Sequence, residues 1–175
     1  MSQDIFSLSP RCTNEIVLTF SLRSNSWGFH AQNHTSLTVV NLARNGRSTR
    51  SFINEGLWAT LLSQTSAGDF VLIEHGHNDD VDPTTDTKFR GVLPGIGEET
   101  VTVTGASGDP EVVHTFGWYL RQMVADVKAK KATPIISGMV NRNYWTGSTL
   151  QSAWPFANYA SQVRCHPVFL SRLRV

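Results

Sequence analysis

The sequence predicts an α/β fold with a parallel sheet, and three observations point there. Short apolar runs alternate with longer amphipathic stretches, the pattern of strand–helix units in a doubly wound sheet. The run Phe70–Ile73 is apolar throughout, as a strand buried on both faces requires. It then breaks into His75-Gly76-His77-Asn78-Asp79-Asp80, polar side chains around a glycine. In an open α/β sheet this carboxyl end of the strand is where ligands and catalytic groups gather.

Taken in order, residues 1–36 carry little pattern, and Ile16–Phe20 is their one strand candidate. Leu37–Leu42 is a second buried run, ending in the polar stretch from Ala43 to Thr49. Gly46 falls where strand turns into helix, a place that often needs a close backbone approach. Ser48, Thr49 or Ser51 can cap the next helix, which carries Phe52, Trp58, Leu61, Leu62 and Thr65 at helical spacing. Gly68-Asp69 breaks it before Phe70. From Asp80 to Pro110 runs an excursion rich in Asp, Thr, Gly and Pro, a length that is usually functional. Within it, Glu99–Thr104 alternates and reads as a small solvent-edge strand.

Val113–Lys131 is the clearest helix, with Phe116, Tyr119, Leu120, Met123, Val124 and Val127 on one face and a basic last turn that suits the dipole. Glu111-x-x-His114 reads as the start of this helix. Pro134–Ser137 is another buried strand. Leu150–Val163 reads as a helix with Pro155 in its first turn or interrupting it. The tail, residues 164–175, is too short for a further βα unit.

The 175 residues suffice for one domain with a real core. Fifteen basic and fourteen acidic residues leave a formal charge of +1, which argues against a nucleic-acid or anionic-membrane partner. No apolar run approaches the ~18 residues of a membrane span, and the opening residues lack the pattern of a signal peptide. Cys12 and Cys165 could pair in an oxidising compartment, but one pair defines no disulfide framework. Asn33-His34-Thr35 is a glycosylation sequon, meaningful only outside the cell.

Three readings compete at the central stretch. His75-x-His77-x-Asp79-Asp80 comes close to the H-x-H-x-D-H motif of metallo-β-lactamase-like hydrolases, and two His with a carboxylate can bind zinc. Its last His is replaced by Asp80, so further ligands would have to come from His114 or His166. Alternatively, the Asn78 side chain and the Gly46 backbone offer N–H donors to one oxyanion, since loops of neighbouring parallel strands can converge. In the plainest reading Gly46 is a turn and Asn78 a cap.

Gly76-His77-Asn78-Asp79 resembles the G-x-N-D motif of the SGNH hydrolases. Asn45-Gly46-Arg47-Ser48-x-Arg50-Ser51 resembles the glycine block of the same superfamily. The span from about Val40 to Ser161, including His114–Leu120 and Met139–Trp145, is similar to fungal rhamnogalacturonan acetylesterases. The resemblance implies a flavodoxin-like three-layer α/β/α fold and an ester hydrolase acting on acetylated plant cell-wall polysaccharide such as pectin. It makes Gly46 and Asn78 two oxyanion donors within roughly 6–7 Å of one another, room for one shared oxygen. It implies no cofactor, no metal, a monomer and a secreted family.

The ends depart from the family. Trp27-Gly28 matches a family Trp-Gly, yet no Gly-Asp-Ser precedes it; Thr13, Ser21, Ser24 and Ser26 are hydroxyls outside that context. The Asp-x-x-His of the family's base is also absent. The expectation is a core over 37–163 that lacks its last βα unit, between atypical segments 1–36 and 164–175. Catalysis is expected to be impaired, because an oxyanion hole without nucleophile and base stabilises a charge that nothing creates. A non-catalytic sugar-binding relative is the second reading. Trp118, Tyr144, Trp145 and Trp154 suit either sugar contact or ordinary core packing.

Overall fold

The computed structural model describes residues 15–18, 30–139, 143–150 and 154–165. In chain order its strands are β1 (Glu15–Leu18), β2 (Thr38–Asn41), β3 (Phe70–Ile73), β4 (Thr100–Thr104), β5 (Pro110–His114), β6 (Thr133–Ile136), β7 (Trp145–Thr146) and β8 (Thr149–Leu150). Its α-helices are α1 (Thr49–Asn54), α2 (Leu57–Gln64), α3 (Phe116–Ala129) and α4 (Pro155–Cys165), with a short 3-10 turn at Ala31–His34.

Four strands form one parallel sheet in the order β2-β1-β3-β6. All four runs expected in the parallel sheet are therefore strands of it, and the class is mixed α/β. In β3 the period of two sends side chains to opposite faces. Val71 and Ile73 join the main core with Phe52, Leu61, Phe116, Leu120 and Phe156 from the four helices. Leu72 packs instead with Val39, Ala43 and Ala31 on the other side. Helices α3 and α4 pack on each other and on β6, while α1 packs on α2 and α3.

Three expectations are corrected. The single helix predicted after Gly46 is two, because Gly56 turns left-handed (φ 75) and ends one run before the next begins. The stop was written in Asn54-Glu55-Gly56, a glycine where helices commonly terminate. Glu111-x-x-His114 does not begin a helix. It lies in β5, paired antiparallel with β4 from Thr100↔His114 to Thr104↔Pro110. The helix starts one residue beyond Thr115, whose hydroxyl accepts the Trp118 N–H at 3.1 Å and so caps it. Likewise Leu150 belongs to the β7–β8 hairpin, and α4 begins at Pro155, where a missing N–H does no harm.

Helix α1 is fastened by its own sequence. The Ser48 Oγ accepts the Ser51 N–H at 3.1 Å and the Ser51 Oγ accepts the Ser48 N–H at 2.9 Å, a reciprocal capping box. Between β3 and β4 the backbone of Phe89 is left-handed (φ 54), a conformation that costs a bulky residue about 1–3 kcal/mol. The Asp86 carboxylate holds it there by accepting the N–H groups of Lys88, Arg90 and Gly91 at 2.9, 2.5 and 2.6 Å.

Candidate active site

Parallel pairing turns the carboxyl ends of β2 and β3 to the same edge of the sheet. The two strands are not neighbours, because β1 lies between them. Their ends are therefore about 10 Å apart, twice the expected spacing, and the loops must close the gap. They do so at Arg90. Its Nη1 donates to the Gly46 carbonyl at 3.1 Å and to the Asn78 Oδ1 at 3.0 Å. The half-buried Asn78 thus faces the Gly46 turn (φ 78) at the edge and does not point into the core. Its Nδ2 donates to the Arg47 carbonyl at 3.2 Å. With a cation on Oδ1, the amide presents its nitrogen toward the 46–47 turn, and the –NH₂ carries a second proton.

The next residue anchors the loop from beneath. Asp79 is fully buried and accepts the backbone N–H and the hydroxyl of Thr49 at 2.9 and 2.5 Å. Burial pushes its carboxyl up to about 7, against those hydrogen bonds, which favour the anion. Burial also draws the His75 imidazole down to about 4, so it is neutral at pH 7, and its ring lies 5.3 Å from Phe52.

The metal reading does not survive this arrangement. His75 turns inward to Phe52 and Asp79 is held by Thr49, whereas the His77 ring lies 5.0 Å from Trp154. Among the described residues no three His, Cys, Asp or Glu are placed to hold an ion. His114 stacks on Trp118 with ring centroids 3.7 Å apart, and His166 lies outside the described residues. Glu111 is tied to the buried Arg50 at 2.8 Å and to Asn54 at 2.7 Å. The Arg50 hydrogen bond holds its carboxyl below the ordinary range.

Of the aromatics, Trp154 donates to Asp80 at 2.9 Å, whereas Tyr144 and Trp145 are 65% and 54% exposed and do not pack in the core. Thr13, Ser21, Ser24, Ser26, the Trp27-Gly28 match and Cys12 lie outside the described residues, as does the Cys165 side chain. Sequence reasoning missed Arg90 and Arg50. Arg90 falls in an unpatterned loop and Arg50 figures only as part of the glycine block, so only the folded contacts reveal their partners.

Against known proteins, the chain is 34% identical over 131 residues to a rhamnogalacturonan acetylesterase of Emericella nidulans, covering 75% of this chain and 53% of that one. The chain is a homologue of the rhamnogalacturonan acetylesterases. A probable rhamnogalacturonan acetylesterase of Bacillus subtilis, YesY, is 25% identical over 137 residues, covering 77% of this chain and 54% of its own length. The chain thus spans about half the length of these relatives. The YxiM protein of Bacillus subtilis, solved by crystallography, shares the fold with a TM-score of 0.58 at 20% identity, over 87% of this chain and 40% of that one. No protein-family model matches.

Proposed function

We propose that the chain is a carbohydrate esterase that binds acetyl esters of plant cell-wall polysaccharide, with Gly46 and Asn78 as its oxyanion donors. The observation that carries this reading is the single Arg90 nitrogen joining Gly46 to Asn78 across β1. It holds the Asn78 amide in one orientation, with its nitrogen beside the 46–47 turn and one of its protons left for a ligand oxygen. The acetylesterase homologues support the ester and the polysaccharide.

Catalysis by these 175 residues is impaired in this reading. The sequence contains neither Gly-Asp-Ser nor Asp-x-x-His, so those motifs supply no nucleophile and no proton transfer. Two measurements test the proposal. In an NMR titration with sodium acetate, the Asn78 side-chain amide and the Gly46 N–H should shift together and saturably, and the Gly46 shift should be lost in Asn78→Ala. Shifts elsewhere only, or none, would refute the assignment. Release of p-nitrophenol from p-nitrophenyl acetate should stay near background; turnover blocked by an organophosphate would show that another serine acts as nucleophile.

A sugar-binding relative without turnover is the second reading, favoured by the exposure of Tyr144 and Trp145. Saturable binding of acetylated oligosaccharide with no acetate response at Asn78 and Gly46 would select it.

A further inference from the structure

The loop that ends at Phe89, one residue before Arg90, walls a groove of about 650 Å³, within the range of sites that hold a small ligand. One wall is the loop from Pro83 to Phe89, and the other is the β4–β5 hairpin with Thr102, Val103 and Thr104. Its chemistry is one-sided. Five threonines, Thr84, Thr85, Thr87, Thr102 and Thr104, line it; the hydroxyls of Thr84 and Thr85 donate to Asp82 and keep their acceptor capacity. No lysine, arginine or glutamate is among the lining residues, and the single carboxylate, Asp86, is occupied by three backbone N–H groups. Phe89 supplies an aromatic surface and is held half-buried with a left-handed backbone. The residue after it is Arg90, which reaches the oxyanion turn.

We infer that this groove binds neutral sugar residues of the polymer whose ester lies at Asn78. Neutral sugar rings combine hydroxyls with apolar C–H faces, which match threonines and one aromatic ring. An acidic sugar would bring a carboxylate to a groove whose lining residues include no cation. The Asp86 nest explains why Phe89 keeps a backbone shape that aromatic residues avoid: it sets both the ring and the base of Arg90 in one loop. The polymer is taken from the esterase reading; the groove's own chemistry selects the neutral ring.

Binding to the full chain tests this apart from hydrolysis. Calorimetry would compare neutral β-1,4-galactotetraose with acidic tetragalacturonate in the wild type, Phe89→Ala, Thr102→Val/Thr104→Val and Ser63→Ala. The neutral tetrasaccharide should bind about tenfold more tightly than the acidic one. Phe89→Ala and the double threonine variant should each weaken it about tenfold, while Ser63→Ala, on the exposed face of α2 outside the groove, leaves it unchanged. The threonine variant alters only exposed strand positions and keeps the test valid if Phe89→Ala melts early. No binding by the wild type, a preference for tetragalacturonate, or unchanged affinity in the threonine variant would overturn the proposal. Sugar binding with no acetate response at Asn78 would instead leave the groove standing and remove the esterase reading.

Discussion

Asp79 grips Thr49 twice, taking its backbone N–H at 2.9 Å and its hydroxyl at 2.5 Å, with both residues fully buried. The loop that carries Asn78 is thereby bolted to the first residue of α1, just after the turn that carries Gly46. Thr49→Val keeps the volume and removes the hydroxyl donor from a buried carboxyl. It should lower stability by about 1–3 kcal/mol, the usual effect of an orphaned buried partner. Chemical denaturation monitored by tryptophan fluorescence measures it, and a loss under about 0.3 kcal/mol would show that the hydroxyl adds nothing.

The same carboxyl and His75 set opposing pH dependences. Asp79 rises from 3.8 to about 7 in the folded state, so between those values the native protein holds a proton that the unfolded chain has lost. Stability from this group therefore falls as pH rises through that window. His75 drops from 6.5 to about 4, so the unfolded chain holds the extra proton and stability rises with pH over its window. The two slopes largely cancel between pH 4 and 6.5. Asp79→Asn keeps an acceptor for Thr49 and removes one slope. Its stability should climb between pH 4 and 6.5 at up to about 1.4 kcal/mol per pH unit. A profile parallel to the wild type would contradict the assignment.

Strands were legible from their apolar runs, although at the edges of the sheet β2 has no fully buried residue and Ile135 of β6 is 41% exposed. Phe70–Ile73 and the runs near Ile16, Leu37 and Pro134 have apolar positions on both faces, a pattern that few other elements share. The hairpin from Thr100 to His114 was half seen, because Thr100–Thr104 alternates but Pro110–His114 runs without a break into a helical pattern. Only Thr115, a cap residue three before Trp118, separated strand from helix. At the site, Gly46 and Asn78 stood out by local sequence. Arg90 did not, since its partners lie 44 and 12 residues away and nothing periodic links them.

Among the described residues Arg50 is the largest fully buried side chain, and its guanidinium meets Glu111 and the Gly91 carbonyl. It ties α1 to β5 and to the loop that carries Arg90. Arg50→Leu leaves the Gly91 carbonyl without a partner and Glu111 with Asn54 alone, and should cost about 3–5 kcal/mol, the range for breaking a buried ion pair from one side. Glu111 keeps some exposure, so water relieves part of this, and the lower end is the better expectation. Adding Glu111→Leu removes the stranded charge, and the double variant should be more stable than Arg50→Leu alone. Urea melts of the wild type and the two variants measure the order; a double variant weaker than the single would mean that Glu111 has another favourable role.

Gly76 fixes the other side of the Asn78 loop through contact with Met139. A Cβ added there would lie 2.1 Å from the Met139 Sδ and 2.8 Å from its Cε, with the backbone at φ +139. The strain follows from the backbone, whereas relief of the clash requires the end of the flexible Met139 side chain to swing away. Gly76→Ala should therefore destabilise by about 2–4 kcal/mol, combining overpacking with backbone strain. Met139→Ala removes the clash and leaves the strain. In a double-mutant cycle the two substitutions should be less than additive by at least about 1 kcal/mol, since the second loses a contact that the first has already broken. Additivity within about 0.5 kcal/mol would show that the sulfur yields freely, leaving backbone strain alone to require glycine two residues before Asn78.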